Sequence, residues 1–139
     1  MEESLTVLPE DEDLLSVAKD AAATAYAKYS AFQVGAAVRT QAGDVYSGCN
    51  VENVSYPIGT CAERNAIAAA VLKEGPAMKI MAIAVAAQKN NHWAAVIPCG
   101  ACRQAIFEFG GEAKVVFTAA DGKSRAESIG NLLPKSFSF

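Results

Sequence analysis

The sequence predicts an α/β fold, a three-layer α/β/α sandwich built around a mixed sheet of about five strands. Three observations point there. Segments with a helical stripe alternate with short apolar strands after an opening hairpin. The apolar run at residues 79–87 is nearly unbroken and bounded by polar residues, which suits a strand covered on both faces. A length of 139 residues, 52% hydrophobic and 19% charged, is that of one domain with a single core.

The elements follow in order. Residues 10–28 carry Leu14, Leu15, Val17, Ala18, Ala21 and Ala22 at helical spacing, and Ser30 breaks the run. Residues 32–40 read as a strand, and the turn signal Ala42-Gly43-Asp44 returns the chain as a second arm at 45–48. Residues 50–59 are loop-like. Residues 61–72 form an alanine-rich helix that stops near Gly75-Pro76. After the strand at 79–87 come a loop at 88–92, a short strand at 94–97, and a helix opened by Pro98 and closed at Gly110-Gly111. A strand at 114–118, a turn at Asp121-Gly122 and a short helix at 128–133 complete the chain. No repeat or linker divides it, so one domain is expected over residues 1–139, with 1–10 flexible.

The net charge is −3 and the basic residues are scattered. Binding a nucleic-acid polymer rests on clustered positive charge, so a small, nearly neutral substrate fits better. No apolar run approaches the roughly 20 residues of a membrane span. Residues 1–12 are acidic where a secretory signal would be basic and then apolar. The expectation is a cytoplasmic protein with neither a membrane nor a nucleic-acid partner.

Of four cysteines, Cys61, Cys99 and Cys102 carry the chemistry, and Cys49 reads as a small buried residue. Cys99 and Cys102 sit three apart in the first turn of one expected helix, and Cys61 opens another. Three thiolates converging from two helix N-termini suit tetrahedral zinc, and helix dipoles favour negative sulfur there. Three protein ligands leave one position for water, the mark of a catalytic site. Rival readings are two disulfides, a structural four-cysteine site that would need Cys49, and a redox Cys-x-x-Cys pair. The redox pair would leave Cys61-x-Glu63 unexplained.

Glu63 has two readings. Thr60-Cys61-Ala62-Glu63 matches a capping box, in which the carboxylate serves only backbone donors. Alternatively, lying two residues from a metal ligand, it takes a proton from the bound water and passes it on. The zinc deaminases carry His-x-Glu followed by Pro-Cys-x-x-Cys, and a three-cysteine form exists. Cys61-Ala62-Glu63 followed by Pro98-Cys99-Gly100-Ala101-Cys102 is that form.

Further segments extend the match: Tyr29 to Ala37, Gly48 to Asn53, Cys61-Ala62-Glu63-Arg64, Pro98 to Gln104, and Leu132 to Phe137. In these the chain resembles the small homotetrameric cytidine deaminases, in the family's order, from about Asp11 onward. The resemblance implies a zinc-dependent hydrolase, one Zn2+ per subunit, that converts cytidine and deoxycytidine to the uridine forms in pyrimidine salvage. It implies Cys61, Cys99 and Cys102 as zinc ligands and Glu63 as proton shuttle. Asn50 and Glu52 would hydrogen-bond the ribose, Phe32 would wall the nucleoside pocket, and backbone near Ala62 and Pro98 would read the pyrimidine edge. Phe137 would stack on the base in a neighbouring subunit's pocket, and Tyr56 would reach a neighbouring site. Apart from the resemblance, Phe32 and Phe137 read as core packing and Asn50 and Glu52 as a polar loop.

Zinc with three thiolates carries a net charge of −1, which makes its water harder to deprotonate, so something must draw charge off the sulfurs. Arg64 is the candidate, and its plainer reading is an exposed helix arginine. Lys28 stands where the family often has proline. His92 and Trp93 fall in a surface loop. The blasticidin S deaminases share the three-cysteine site and give the alternative substrate.

Overall fold

The apolar run at the centre of the sequence becomes β3 (Ile80–Lys89) in a computed structural model that describes residues 4–139. It is the middle of a six-stranded mixed sheet. β1 (Phe32–Thr40) pairs antiparallel with β3 on one side and with β2 (Val45–Cys49) on the other. β5 (Lys114–Thr118) runs parallel to β3, with Ile83 beside Val115, and β6 (Ser124–Ser128) follows antiparallel. A parallel pair needs a crossover, and the chain between β3 and β5 supplies it with the helix α3 (Gly100–Phe109).

The alternation of β3 sorts two cores. Ile83 and Val85 face the layer of α2 (Ala62–Glu74), α3 and the short α4 (Ile129–Leu132), packing with Ala66, Ile67, Ile106 and Ile129. Ala82, Ala84 and Ala86 face α1 (Pro9–Ala22), packing with Leu14, Leu15 and Ala18. Both faces are covered, as the unbroken apolar run requires. Two glycines let helices sit directly on strands. A Cβ on Gly35 would collide with the backbone of Ala18 and Ala22, and one on Gly48 would lie 2.5 Å from Ala66 N and 2.8 Å from Ala62 O.

The structure departs from expectation in four places. The first helix ends at Ala22 rather than near residue 28. The Thr24 hydroxyl donates to Ala21 O at 2.8 Å, and Tyr26 pairs with Val51 beyond it. Tertiary pairing overrides the helix propensity of the alanines there. Secondly, the expected loop at 88–92 is a hairpin, because Asn90 (φ 53°) and Asn91 (φ 64°) turn β3 directly into β4 (His92–Ala94). Asparagine tolerates this left-handed backbone, and two such residues in a row match the twist of the strands they join. The expected strand at 94–97 is replaced by β4, with only the Val96 N–H reaching over to Thr118 O at 3.2 Å.

Thirdly, β6 makes the strands six rather than about five. Its sequence Ser-Arg-Ala-Glu-Ser buries only Ala126, so it carries almost no apolar signal. Lastly, of the stretch expected to be flexible, residues 1–3 lie outside the described residues, while Leu5 N–H donates to Ala126 O at 2.8 Å and α1 begins at Pro9. No helix among the described residues is long and apolar enough to cross a membrane.

Candidate metal centre and substrate pocket

Cys61 is the N-cap of α2 and Cys99 the N-cap of α3, both in extended backbone just before the helix. Cys102 lies one turn further along α3 and is completely buried. The first amides of a helix have no partner in the helix itself, so a sulfur placed there meets N–H groups and the positive end of the dipole. The three Sγ atoms lie within 4.8 Å of one another. Zinc bonded to three sulfurs at about 2.3 Å in tetrahedral geometry would hold them about 3.8 Å apart, so a small contraction closes the site. The donor set is all soft thiolate, which selects zinc over harder cations.

The rival readings of the cysteines part from this geometry. All four are free, and Cys49 is not part of the cluster. Burial raises the Cys102 thiol above its ordinary range, and the charges of Glu63 and Cys61 add to it. Burial opposes ionisation of Cys99 as well, but the N–H groups of Cys102 and Ala101, with the neighbouring thiols, pull it below its ordinary value overall.

Glu63 occupies the second position of α2, with 4% of its surface exposed. Its burial pushes the carboxyl above the usual range, against the pull of its own N–H, the Cys102 thiol and Arg64. The capping-box reading fails. The N-cap is Cys61 rather than Thr60, no side chain caps the helix, and the Thr60 hydroxyl accepts from Asn65 Nδ2 at 2.9 Å. Arg64 Nη2 donates to Cys61 Sγ at 3.6 Å, and that sulfur, foremost, holds the guanidinium pKa above its ordinary value.

A cavity of about 360 Å³ opens over the sulfurs. Of the residues singled out from the sequence, Phe32, Asn50, Glu52, Tyr56, Cys61, Ala62, Glu63 and Cys99 line it. Val34, Val51, Gly59, Thr60, Val96 and Ile97 complete the walls. Sequence reading missed these six, whose only signal was adjacency to the motifs. A second hollow of about 330 Å³ shares Glu52, Tyr56 and Gly59 and adds Tyr29, Ser30 and Asn53. Tyr29 and Tyr56 meet edge to face there, ring centroids 6.1 Å apart.

Both polar walls are tied to backbone. Asn50 Oδ1 accepts from Val34 N at 2.8 Å and its Nδ2 donates to Phe32 O at 2.9 Å, so this side chain continues the edge pairing of β1. Glu52 Oε1 accepts from the N–H groups of Tyr29 (2.9 Å) and Ser30 (3.1 Å). These bonds, led by that from the Ser30 hydroxyl, hold the Glu52 carboxyl below its ordinary range despite partial burial.

Phe137 is not in this cavity. It lines another hollow with Gln104, Phe107 and Glu108, packs edge-on against Phe139 with centroids 5.3 Å apart, and is 69% exposed. His92 and Trp93 belong to β4, where Lys19 Nζ lies 5.3 Å from the Trp93 ring. Sequence reading also missed Arg103. Its Nε donates to Pro98 O and its Nη1 to Leu132 O, each at 2.8 Å, which ties the segment bearing Cys99 to α4.

Comparison with known proteins agrees with the site. The family described as "Cytidine and deoxycytidylate deaminase zinc-binding region" matches residues 8–119. A cytidine deaminase of Sporosarcina psychrophila is 41% identical over 128 residues, covering 91% of this chain and 90% of that protein. One from Mycobacterium tuberculosis is 41% identical over 120 residues, with 86% and 84% covered. The crystal structure of cytidine deaminase from Burkholderia pseudomallei superposes with a TM-score of 0.80 at 44% identity, covering 91% of this chain and 98% of that one. A zinc-type sulfur cluster, a buried carboxyl beside it and this likeness lead to one conclusion: the chain belongs to the cytidine and deoxycytidylate deaminase family.

Proposed function

We propose that the chain hydrolyses the amino group from C4 of free cytosine nucleosides, converting cytidine and deoxycytidine to uridine and deoxyuridine. The observation that carries this reading is the buried Glu63 carboxyl beside three clustered sulfurs in the wall of a nucleoside-sized cavity. Cys61, Cys99 and Cys102 would hold one Zn2+ per subunit, which when bound supplies a water of near-neutral pKa.

The remaining steps belong to the chain. Glu63 would take a proton from the attacking water and deliver it to ring N3 as the water oxygen bonds to C4. It would then move the proton of the new C4 hydroxyl to the amino group, so that C4=O forms as the C4–N bond breaks and ammonia leaves. A carboxyl whose burial raises its pKa is suited to both accept and give protons. Phe32 packs against the nucleoside, Asn50 and Glu52 read the sugar, and backbone at Ala62 reads the base edge.

The family description covers nucleosides and a nucleotide, and the cavity favours the nucleosides. Its lining includes Glu52 and Glu63 but no lysine or arginine, so a 5′-phosphate would meet negative charge and no cation. The exposed Phe137 and Tyr56 would complete neighbouring sites in a homotetramer. A cytoplasmic enzyme of pyrimidine salvage accords with a free nucleoside as substrate.

The test is a panel assayed by absorbance and ammonia release: cytidine, deoxycytidine, deoxycytidylate, blasticidin S and single-stranded DNA. Turnover of the first two and at least about 100-fold weaker kcat/KM for the rest is expected, given the polar and charge mismatches involved. Faster turnover of blasticidin S would reassign the substrate, and zinc binding with no ammonia from any of them would end the enzymatic reading. Arg64→Gln is expected to retain zinc while kcat falls by about 10- to 100-fold, the usual effect of losing a group that supports metal ligands. Unchanged kinetics would remove Arg64 from the mechanism.

A further inference from the structure

Ser30 lines the hollow that adjoins the cavity and shares Glu52 with it. Its hydroxyl accepts from Phe32 N–H at 2.9 Å and donates to Glu52 Oε2 at 2.5 Å. Between Ser30 and Phe32, Ala31 is held at φ 59°, a left-handed backbone that an alanine adopts only under constraint. The Ala31 N–H is fixed to Ala27 O at 2.9 Å. One hydroxyl therefore links the first residue of β1 to the Glu52 carboxylate, and both residues line the cavity.

The acceptor count gives this link a consequence. An ionised carboxylate has about four lone-pair sites. Two on Oε1 take the N–H groups of Tyr29 and Ser30, and one on Oε2 takes the Ser30 hydroxyl. What remains is a single acceptor direction, on Oε2. Without Ser30, Oε2 would offer two, and the carboxylate would lose the bond that fixes its plane.

The geometry points to Ser30 as a positioning residue that aims the last free acceptor of Glu52 at one sugar hydroxyl and so sets discrimination among nucleoside sugars. This rests on the reading of Glu52 as a sugar-binding group. Ser30 does not touch the reacting atoms. It acts through Glu52, and its loss is expected to appear in KM rather than in kcat.

The experiment compares cytidine with 2′,3′-dideoxycytidine, which lacks both ring hydroxyls. The unsubstituted protein is expected to prefer cytidine by at least about 100-fold in kcat/KM, as a site built to bond a hydroxyl rejects an analogue without one. Ser30→Ala is expected to cut that preference by about tenfold, through the KM for cytidine, with kcat within about threefold and the dideoxy substrate almost unaffected. Ser30→Thr, which keeps a hydroxyl, is expected to restore the preference. If Ser30→Ala melts early, Ser30→Cys makes the same measurement with a near-isosteric, weaker donor.

Equal losses on both substrates would reduce Ser30 to a lock on the turn and overturn the assignment. Full discrimination by a folded Ser30→Ala would overturn it too, while leaving the Glu52 reading intact. An unsubstituted protein that treats the two substrates alike would overturn the Glu52 reading itself, and the Ser30 assignment with it.

Discussion

Replacing Glu63 with alanine is expected to leave the fold and the zinc content intact while turnover of cytidine falls by about 10⁴-fold. The size follows from the double duty of the carboxyl. A positioned acid or base contributes about 10² to 10⁴ to a proton transfer, and here one group serves two transfers in turn. Stability should not suffer. Glu63 is 4% exposed, and removing a carboxyl from an apolar surrounding relieves a desolvation cost. Glu63→Gln sharpens the test, since it keeps the volume and hydrogen-bonding reach but cannot carry a proton. Absorbance assays of cytidine loss, with metal analysis of the same samples, read both quantities. A zinc-replete alanine variant within tenfold of the unsubstituted rate would remove Glu63 as the proton shuttle.

Cys102→Ser is expected to abolish both bound zinc and activity, and Cys49→Ala to change neither. Cys102 is wholly buried between the N-terminal ends of α2 and α3, and Cys49 lies outside the sulfur cluster. The metal would bridge two helices that are otherwise held together mainly through the sheet, so its affinity is also folding energy. At free zinc about 1,000 times Kd, the linkage contributes about 4 kcal/mol. For a domain of this size that corresponds to a melting temperature roughly 14 °C higher with the metal than after chelation. Calorimetry with and without a chelator measures the shift, and colorimetric metal release gives the stoichiometry. An unchanged melting temperature after complete zinc removal would mean that the three sulfurs do not hold the metal. Zinc loss on Cys49→Ala would bring a fourth sulfur to the metal and close the position reserved for water.

Much of this was legible in the sequence because the chemistry is written in short spacings. Cys61-x-Glu63 and Cys99-x-x-Cys102 place three sulfurs and a carboxyl at the starts of helices, and helix starts are where local sequence determines local geometry most directly. β3 was legible for another reason, since a strand covered on both faces has no polar alternation to confuse it. The misses share a cause as well. β6 and the early end of α1 depend on pairing with residues distant in sequence, Val115 to Glu127 in one case and Tyr26 to Val51 in the other. The Asn90-Asn91 turn was a local signal that went unread. Asn50 and Glu52, singled out from the sequence, line the cavity, but the sequence could not reveal that strand β1 and the Tyr29-Ser30 turn already engage their side chains. The capping reading of Glu63 was a fair inference from four letters, and it fails because the helix starts one residue later.

Gly48 gives the site a common mechanical reference. The strand passes so close to α2 here that a Cβ would meet Ala62 O and Ala66 N; that helix is capped by Cys61 and carries Glu63, and two residues later the chain reaches Asn50. The end of the cavity that bears the sulfurs and the end that bears Asn50, proposed above to hold the metal and the sugar, are thus gauged from one close approach, with no side chain between them to act as a cushion. A methyl group at position 48 would work as a wedge, tilting α2 away from the sheet and widening the gap between the sulfurs and Asn50, so that on the proposed mechanism a bound substrate would no longer come within reach of Glu63 even though every side chain assigned to the reaction is still present.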